Sequence, residues 1–124
     1  MVDWSSIRHF DRVEFDSPDD EGSGDKMDAD FIRMLDGVRE IAGIPFKVNS
    51  GYRTKSHNKK IKGSPNSSHM KGLAADIHCT DSVNRLLILG AAITVGIFRI
   101  GIGKTFIHLD IDEDKVNAIW LYGA

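Results

Sequence analysis

The chain is predicted to be a single α+β domain, a mostly antiparallel sheet flanked by helices. Three observations point there. Residues 28–42 and 82–95 carry apolar side chains at helical spacing between cap signals. Short alternating or β-branched runs at 46–50, 73–78, 97–101, 105–112 and 117–122 read as strands. The resulting order is helix, strand, short helix, strand, helix, then strands, which suits an α+β architecture.

Each element has a local reason. Residues 16–26 are acidic and contain glycine, so they read as a solvated loop; their spacing is not that of an EF-hand. In the first helix Phe31, Met34 or Leu35, Val38 and Ile41 repeat on one side. Asp28 suits its N-cap and Gly43 its C-terminal stop, with Pro45 just beyond. Phe46 to Ser50 alternates as a strand does, and His57 to Ile61 suits one or two helical turns. Met70 to Leu73 reads as a turn in which Gly72 is free to adopt positive φ. Leu73 to His78 follows as a strand. The second long helix starts at Asp81 or Ser82 and ends at Gly96. No repeat or linker divides the sequence, and 124 residues suit one domain over 1–124 with one core.

Composition narrows the function. A net charge of −2 gives no global basic field, and no basic patch is interleaved with aromatics, so no nucleic-acid partner is expected. The apolar stretch 86–100 is interrupted by Gly90, Thr94, Gly96 and Arg99, so no membrane span is expected either. The amino terminus lacks a basic region followed by an apolar run, which predicts synthesis in the cytoplasm without a signal peptide. Cys79 is the one cysteine, so the fold needs no disulfide.

Three residues stand out chemically. His69, Asp76 and His108 supply two imidazoles and one carboxylate, the donor set of an open zinc site that keeps a fourth position for water. Asp76 sits among Leu73, Ala74, Ala75 and Ile77, where a carboxylate needs a partner such as a metal. Along the strand that carries His108, the residues Phe106, His108 and Asp110 share a face. Asp110 thus lies near the metal, as a proton acceptor, as a partner of a zinc histidine, or as a plain strand residue. Asp112 is one step further on the same face. His78 shares a face with Asp76 and reads as structural, as do His57, His9 and Cys79. Lys55, Lys59, Lys60, Lys62 and Lys71 cluster around these segments as a solvated face, or as a weak attraction for an acidic polymer.

The run Ser67-x-His69-x-x-Gly72-x-Ala74-x-Asp76 resembles the signature of the zinc D-alanyl-D-alanine peptidases, a family that includes VanY-type carboxypeptidases, phage endolysins and the fold-related hedgehog domain. Ser50-Gly51-Tyr52-Arg53 with His57-Asn58 resembles its upstream motif, and His108 its last zinc histidine. The stretch from Phe10 to Met27 is similar to small stand-alone phage and prophage members, so the resemblance covers residues 10–120. It implies a hedgehog-type fold, one Zn²⁺ per chain held by His69, Asp76 and His108, and Arg53 and Ser67 as substrate contacts. Peptidoglycan stem peptides are the implied partner. The implied activity is a carboxypeptidase or endopeptidase on the cell wall, reached after phage-mediated release or as a virion component. Relatives place an acid/base three or six residues before the last zinc histidine, where this chain has Thr105 and Ile102. The catalytic pair is therefore expected to be Asp110, as general acid/base, with Arg53. The competing expectation is a non-catalytic zinc- or wall-binding component of a phage or prophage.

Overall fold

The computed structural model describes residues 1–123. Helix α1 spans Ala29–Ala42 and helix α3 Ser82–Val95, with a short α2 at Lys55–Lys60 between them. The caps are those the sequence predicts. Asp28 accepts from the Phe31 N–H and Asp81 from the Asn84 N–H, while Gly43 (φ 70°) and Gly96 (φ 109°) end the helices in the left-handed region. Helix α2 begins two residues earlier than expected, because the Thr54 side chain caps it by accepting from the His57 N–H.

Strands β1 (Val48–Ser50), β2 (Ala74–His78), β3 (Arg99–Ile102), β4 (Phe106–Asp110) and β5 (Ala118–Leu121) form one open sheet in the order β1-β2-β4-β3-β5. Each is shorter than its sequence run. The pairs β1–β2, β2–β4 and β3–β4 are antiparallel, and β3–β5 is parallel. The architecture is thus a small single-domain α+β fold with a mostly antiparallel sheet.

Strand alternation divides labour between the two sheet faces. Ala75, Ile77, Ile100, Ile107 and Leu109 join Phe31, Ile32, Leu35 and Val38 of α1 and Ile88, Ala91 and Ala92 of α3 in one buried cluster. Each large aliphatic or aromatic side chain fully buried there contributes about 1.5–3 kcal/mol of transfer free energy. The opposite face carries the polar residues. Register aligns Ser50, Asp76, His108, Gly101 and Trp120 in one row across all the strands, and Ala74, Asp110, Arg99 and Ala118 in the next. Neighbours in such a row have Cβ atoms about 4.5–5.5 Å apart, so their side chains meet.

The segment 16–26 departs from the solvated loop the composition suggests. Ser17, Ser23 and Gly24 are buried. The Asp16 carboxylate accepts from the N–H groups of Gly22 and Gly24 at 3.1 and 2.7 Å, and Ser23 Oγ accepts from the Ser17 N–H at 2.7 Å. The acidic side chains satisfy the loop's own backbone donors, a use that composition does not distinguish from solvent exposure.

Candidate metal centre

Asp76 on β2 and His108 on β4 face each other across one register step. His69 joins them from a 3₁₀ turn over Ser68–Lys71 that runs into β2. Gly72 ends that turn at φ 71°, where an added Cβ would lie 2.3 Å from the Lys26 carbonyl oxygen, so glycine is required twice over. His69 Nε2 lies 3.3 Å and His108 Nδ1 2.9 Å from Asp76 Oδ1. One donor atom from each of the three residues falls within 4.8 Å of the others.

The far ring nitrogens decide whether this cluster suits a metal. His69 Nδ1 is 2.8 Å from the Gly51 carbonyl oxygen, and His108 Nε2 is 2.6 Å from Asp110 Oδ2. Both partners are acceptors. With a metal bound, each ring would keep its proton on the outer nitrogen and turn its lone pair inward; without one, the inner nitrogens hold protons donated to Asp76. A tetrahedral ion with bonds of roughly 2.0–2.1 Å has ligand–ligand edges of about 3.3 Å, near the two separations to Asp76. In the metal-free cluster protons stand where a cation would sit, and a metal has to displace them. Burial works to raise the Asp76 pKa, but hydrogen bonds with His108 and His69 outweigh it and hold the carboxyl well below its usual range. Burial works to lower the His108 pKa, and its contacts with Asp110 and Asp76 push it up instead. The residues fit a divalent cation.

The upstream motif acquires a structural meaning around this cluster. Gly51 presents its carbonyl to His69, and a Cβ there would lie 2.6 Å from Phe15 Cα. Arg53 Nε donates to Ser50 Oγ at 3.0 Å, Nη1 to Asn58 Oδ1 at 3.3 Å and Nη2 to Asp76 Oδ2 at 3.3 Å. The guanidinium is thus aimed at the cluster by two neutral oxygens. Ser67 lines the same groove, and its Oγ accepts from the His69 N–H at 3.2 Å.

Asp110 is almost fully buried and already engaged on both oxygens. Oδ2 meets His108, while Oδ1 accepts from Arg99 Nε at 2.7 Å and from the Asp112 N–H at 3.0 Å. Burial works to raise its pKa, and the His108, Asp112 and Arg99 contacts hold it below the usual value. This arrangement suits a residue that orients His108, and Oδ2 keeps a second lone pair beyond that contact. Asp112 is also engaged, accepting from Ser68 Oγ at 2.7 Å and from Lys71 Nζ at 3.0 Å. It straps the His69 turn to the end of β4.

A groove of about 290 Å³ opens onto the cluster. Beyond Arg53, Ser67 and the three donors, its walls include Arg99, Phe106, Trp120 and Tyr122. Sequence reasoning assigned no role to Arg99, Trp120 or Tyr122. The available signal was the pairing of i, i+2 aromatics at 120 and 122 with glycine at 101. A Cβ on Gly101 would lie 2.5 Å from Tyr122 Cε2 and 2.7 Å from Trp120 Nε1, so that glycine admits both rings to the groove. Burial pushes the Tyr122 hydroxyl pKa up, which keeps the phenol protonated. His78 is exposed on β2 opposite Phe106. His57 lies within α2, His9 meets Glu40, and Cys79 is buried with its sulfur 3.6 Å from the Asp81 carbonyl oxygen.

A search of curated proteins gave no match. A family model described as Peptidase M15 matches residues 9–110. That span holds Arg53, Ser67, all three candidate ligands and Asp110, and stops short of Trp120 and Tyr122. The chain belongs to the Peptidase M15 family, the zinc D-Ala-D-Ala carboxypeptidase (VanY-like) family.

Proposed function

We propose that this chain is a zinc peptidase that hydrolyses peptide bonds in the stem peptides of bacterial peptidoglycan, as a carboxypeptidase or endopeptidase. The observation that carries the reading is the donor arrangement: two imidazoles with their outer nitrogens committed to Gly51 and Asp110, and a carboxylate between them. Zinc held by His69, Asp76 and His108 supplies Lewis acidity and lowers the pKa of water to about 7. Arg53 keeps N–H groups beyond those given to Ser50, Asn58 and Asp76, and these hold a substrate carboxylate or carbonyl. Ser67 supports the His69 turn and borders the same substrate. Tyr122, protonated in the groove wall, donates a hydrogen bond to oxygen as negative charge develops there. Asp110 positions His108. In this reading the protein acts on the cell wall, after phage-mediated release or within a virion.

One observation favours a second reading. Asp76 and Asp110, the carboxylates that line the groove, are both engaged. A wall-binding component with a structural zinc needs no free base. Mass spectrometry of purified muropeptides after incubation with zinc-loaded protein separates the two. A defined product mass, absent with a His69→Ala, His108→Ala variant, is expected. Intact muropeptides that remain bound to zinc-loaded protein would favour the binding component.

A further inference from the structure

A second cavity, of about 570 Å³, lies beside the groove and shares Gly63 with it. Tyr52, Pro65 and Met70 give it apolar walls, and Lys55 and Lys59 stand along one side. Asn58 is the partition. It is buried, accepts from Arg53 Nη1 at 3.3 Å, and donates through Nδ2 to the Ser64 carbonyl oxygen at 2.8 Å. A Cβ at Gly63 would lie 2.1 Å from Asn58 Oδ1 and 3.2 Å from Arg53 Nη1, so the glycine lets the loop close onto that partition. On the far side of the same guanidinium, Nη2 reaches Asp76 Oδ2 at 3.3 Å. The cavity's Asn58 wall is therefore two 3.3 Å hydrogen bonds and one guanidinium from Asp76 Oδ2. An extended chain advances about 3.3–3.6 Å per residue, so a peptide with its scissile carbonyl at the donors places a residue about two or three positions away in the cavity.

Charge states what that residue carries. The chain is net negative, yet residues 53–65 contain one arginine, four lysines and no acidic residue. Lys55 and Lys59 are four apart on α2 and share a face. Among the described residues, neither ammonium has a carboxylate within 4.0 Å, as is also true of Lys47, Lys60, Lys62 and Lys104 but not of Lys26, Lys71 and Lys115. Two unpaired ammoniums beside apolar walls complement a group with an apolar body and a free carboxylate.

We propose that this cavity is a specificity subsite of the same site, selecting peptides that bear a free carboxylate two or three residues to the amino side of the scissile bond. The proposal rests on the peptidase reading for the location of that bond. The test uses L-Ala-γ-D-Glu-L-Lys-D-Ala-D-Ala with its D-Glu α-carboxyl either free or amidated. Binding to zinc-loaded protein is measured by calorimetry and by chemical-shift changes, and hydrolysis is measured in parallel. The free acid is expected to bind about tenfold more tightly than the amide, shifting Tyr52 and Met70 as well as the lysines. A Lys55→Gln, Lys59→Gln variant is expected to keep its zinc and bind both peptides alike. Equal binding of acid and amide by the parent protein overturns the subsite, as does a preference that survives in the variant or shifts confined to the lysines. Hydrolysis with no acid–amide difference would leave the peptidase reading standing and the subsite refuted. A lysine-dependent difference without hydrolysis would support the cavity as a carboxylate site and refute the peptidase reading and, with it, the cavity's role as a subsite of a scissile bond.

Discussion

Asp110 shows how much a residue's role depends on where its lone pairs go. Position on the strand brings it near the metal donors, and either proton transfer or ligand orientation is compatible with that. Its contacts favour orientation, since His108 meets one oxygen and Arg99 with the Asp112 N–H meets the other. Asp110→Asn should therefore weaken zinc affinity about 10–100-fold, with much of the turnover restored at saturating zinc. Zinc titration and turnover on the same preparation check this. A loss of roughly 10²–10⁴-fold at full zinc occupancy would instead return the base role to Asp110. Arg53 makes the complementary case. Its planar fork meets Ser50, Asn58 and Asp76 at once. A lysine has one point charge and cannot span these acceptors. Arg53→Lys should retain fold and zinc yet lose about tenfold to hundredfold in kcat/KM, the scale of one charge-assisted hydrogen bond.

At the level of elements, the 3₁₀ turn that carries His69 is too short to hold itself. Asp112 anchors it, with Ser68 Oγ at 2.7 Å, Lys71 Nζ at 3.0 Å and Lys115 Nζ at 3.6 Å from Oδ2. Burial works to raise the Asp112 pKa, and the bonds from Ser68 and Lys71 bring it down to about 2. Asp112→Ala should cost about 1–3 kcal/mol in denaturant unfolding, because it leaves the buried Ser68 hydroxyl without its acceptor. The same variant should weaken zinc binding through the His69 turn even though Asp112 touches no ligand ring. Stability unchanged to within about 0.5 kcal/mol would show that the strap is dispensable.

Across the whole molecule, stability and metal binding are linked through the two charged faces of the cluster. In the metal-free protein the folded-state pKa of His108 is raised, so its stabilising contribution is complete below the unfolded value of 6.5 and is lost as pH rises through the folded value. The Asp76 pKa is depressed, so its contribution is present above 3.8 and is lost as pH falls toward its folded value. Metal-free protein should thus be most stable between about pH 4 and 6.5 and lose Tm as pH rises above that window. Zinc reverses the upper limb, because it binds the deprotonated imidazole and stabilises the folded state by mass action. Thermal unfolding with and without chelator over pH 5–8 should show the two Tm curves diverging as pH increases. Parallel curves would mean that His108 is not a ligand.

Local signals made much of this protein legible in its sequence. Asp28, Gly43, Asp81 and Gly96 end the two long helices where expected, because a cap acts within one turn of its own position. The donor set His69, Asp76 and His108 was legible because the residue types and their spacing carry the chemistry. Other features required the tertiary structure. The parallel seating of β5 on β3 brings Trp120 to Gly101, and no short-range pattern encodes that pairing. The acceptors that set the two histidine tautomers were split: Asp110 is two residues from His108, whereas the Gly51 carbonyl is eighteen from His69. Arg99, which occupies the second side of Asp110, comes from a neighbouring strand, and Lys71 reaches Asp112 across forty-one residues. Sequence determined which atoms are available to this site; the packing of the sheet decided which are already taken, because a hydrogen bond depends on position in space and not on distance along the chain.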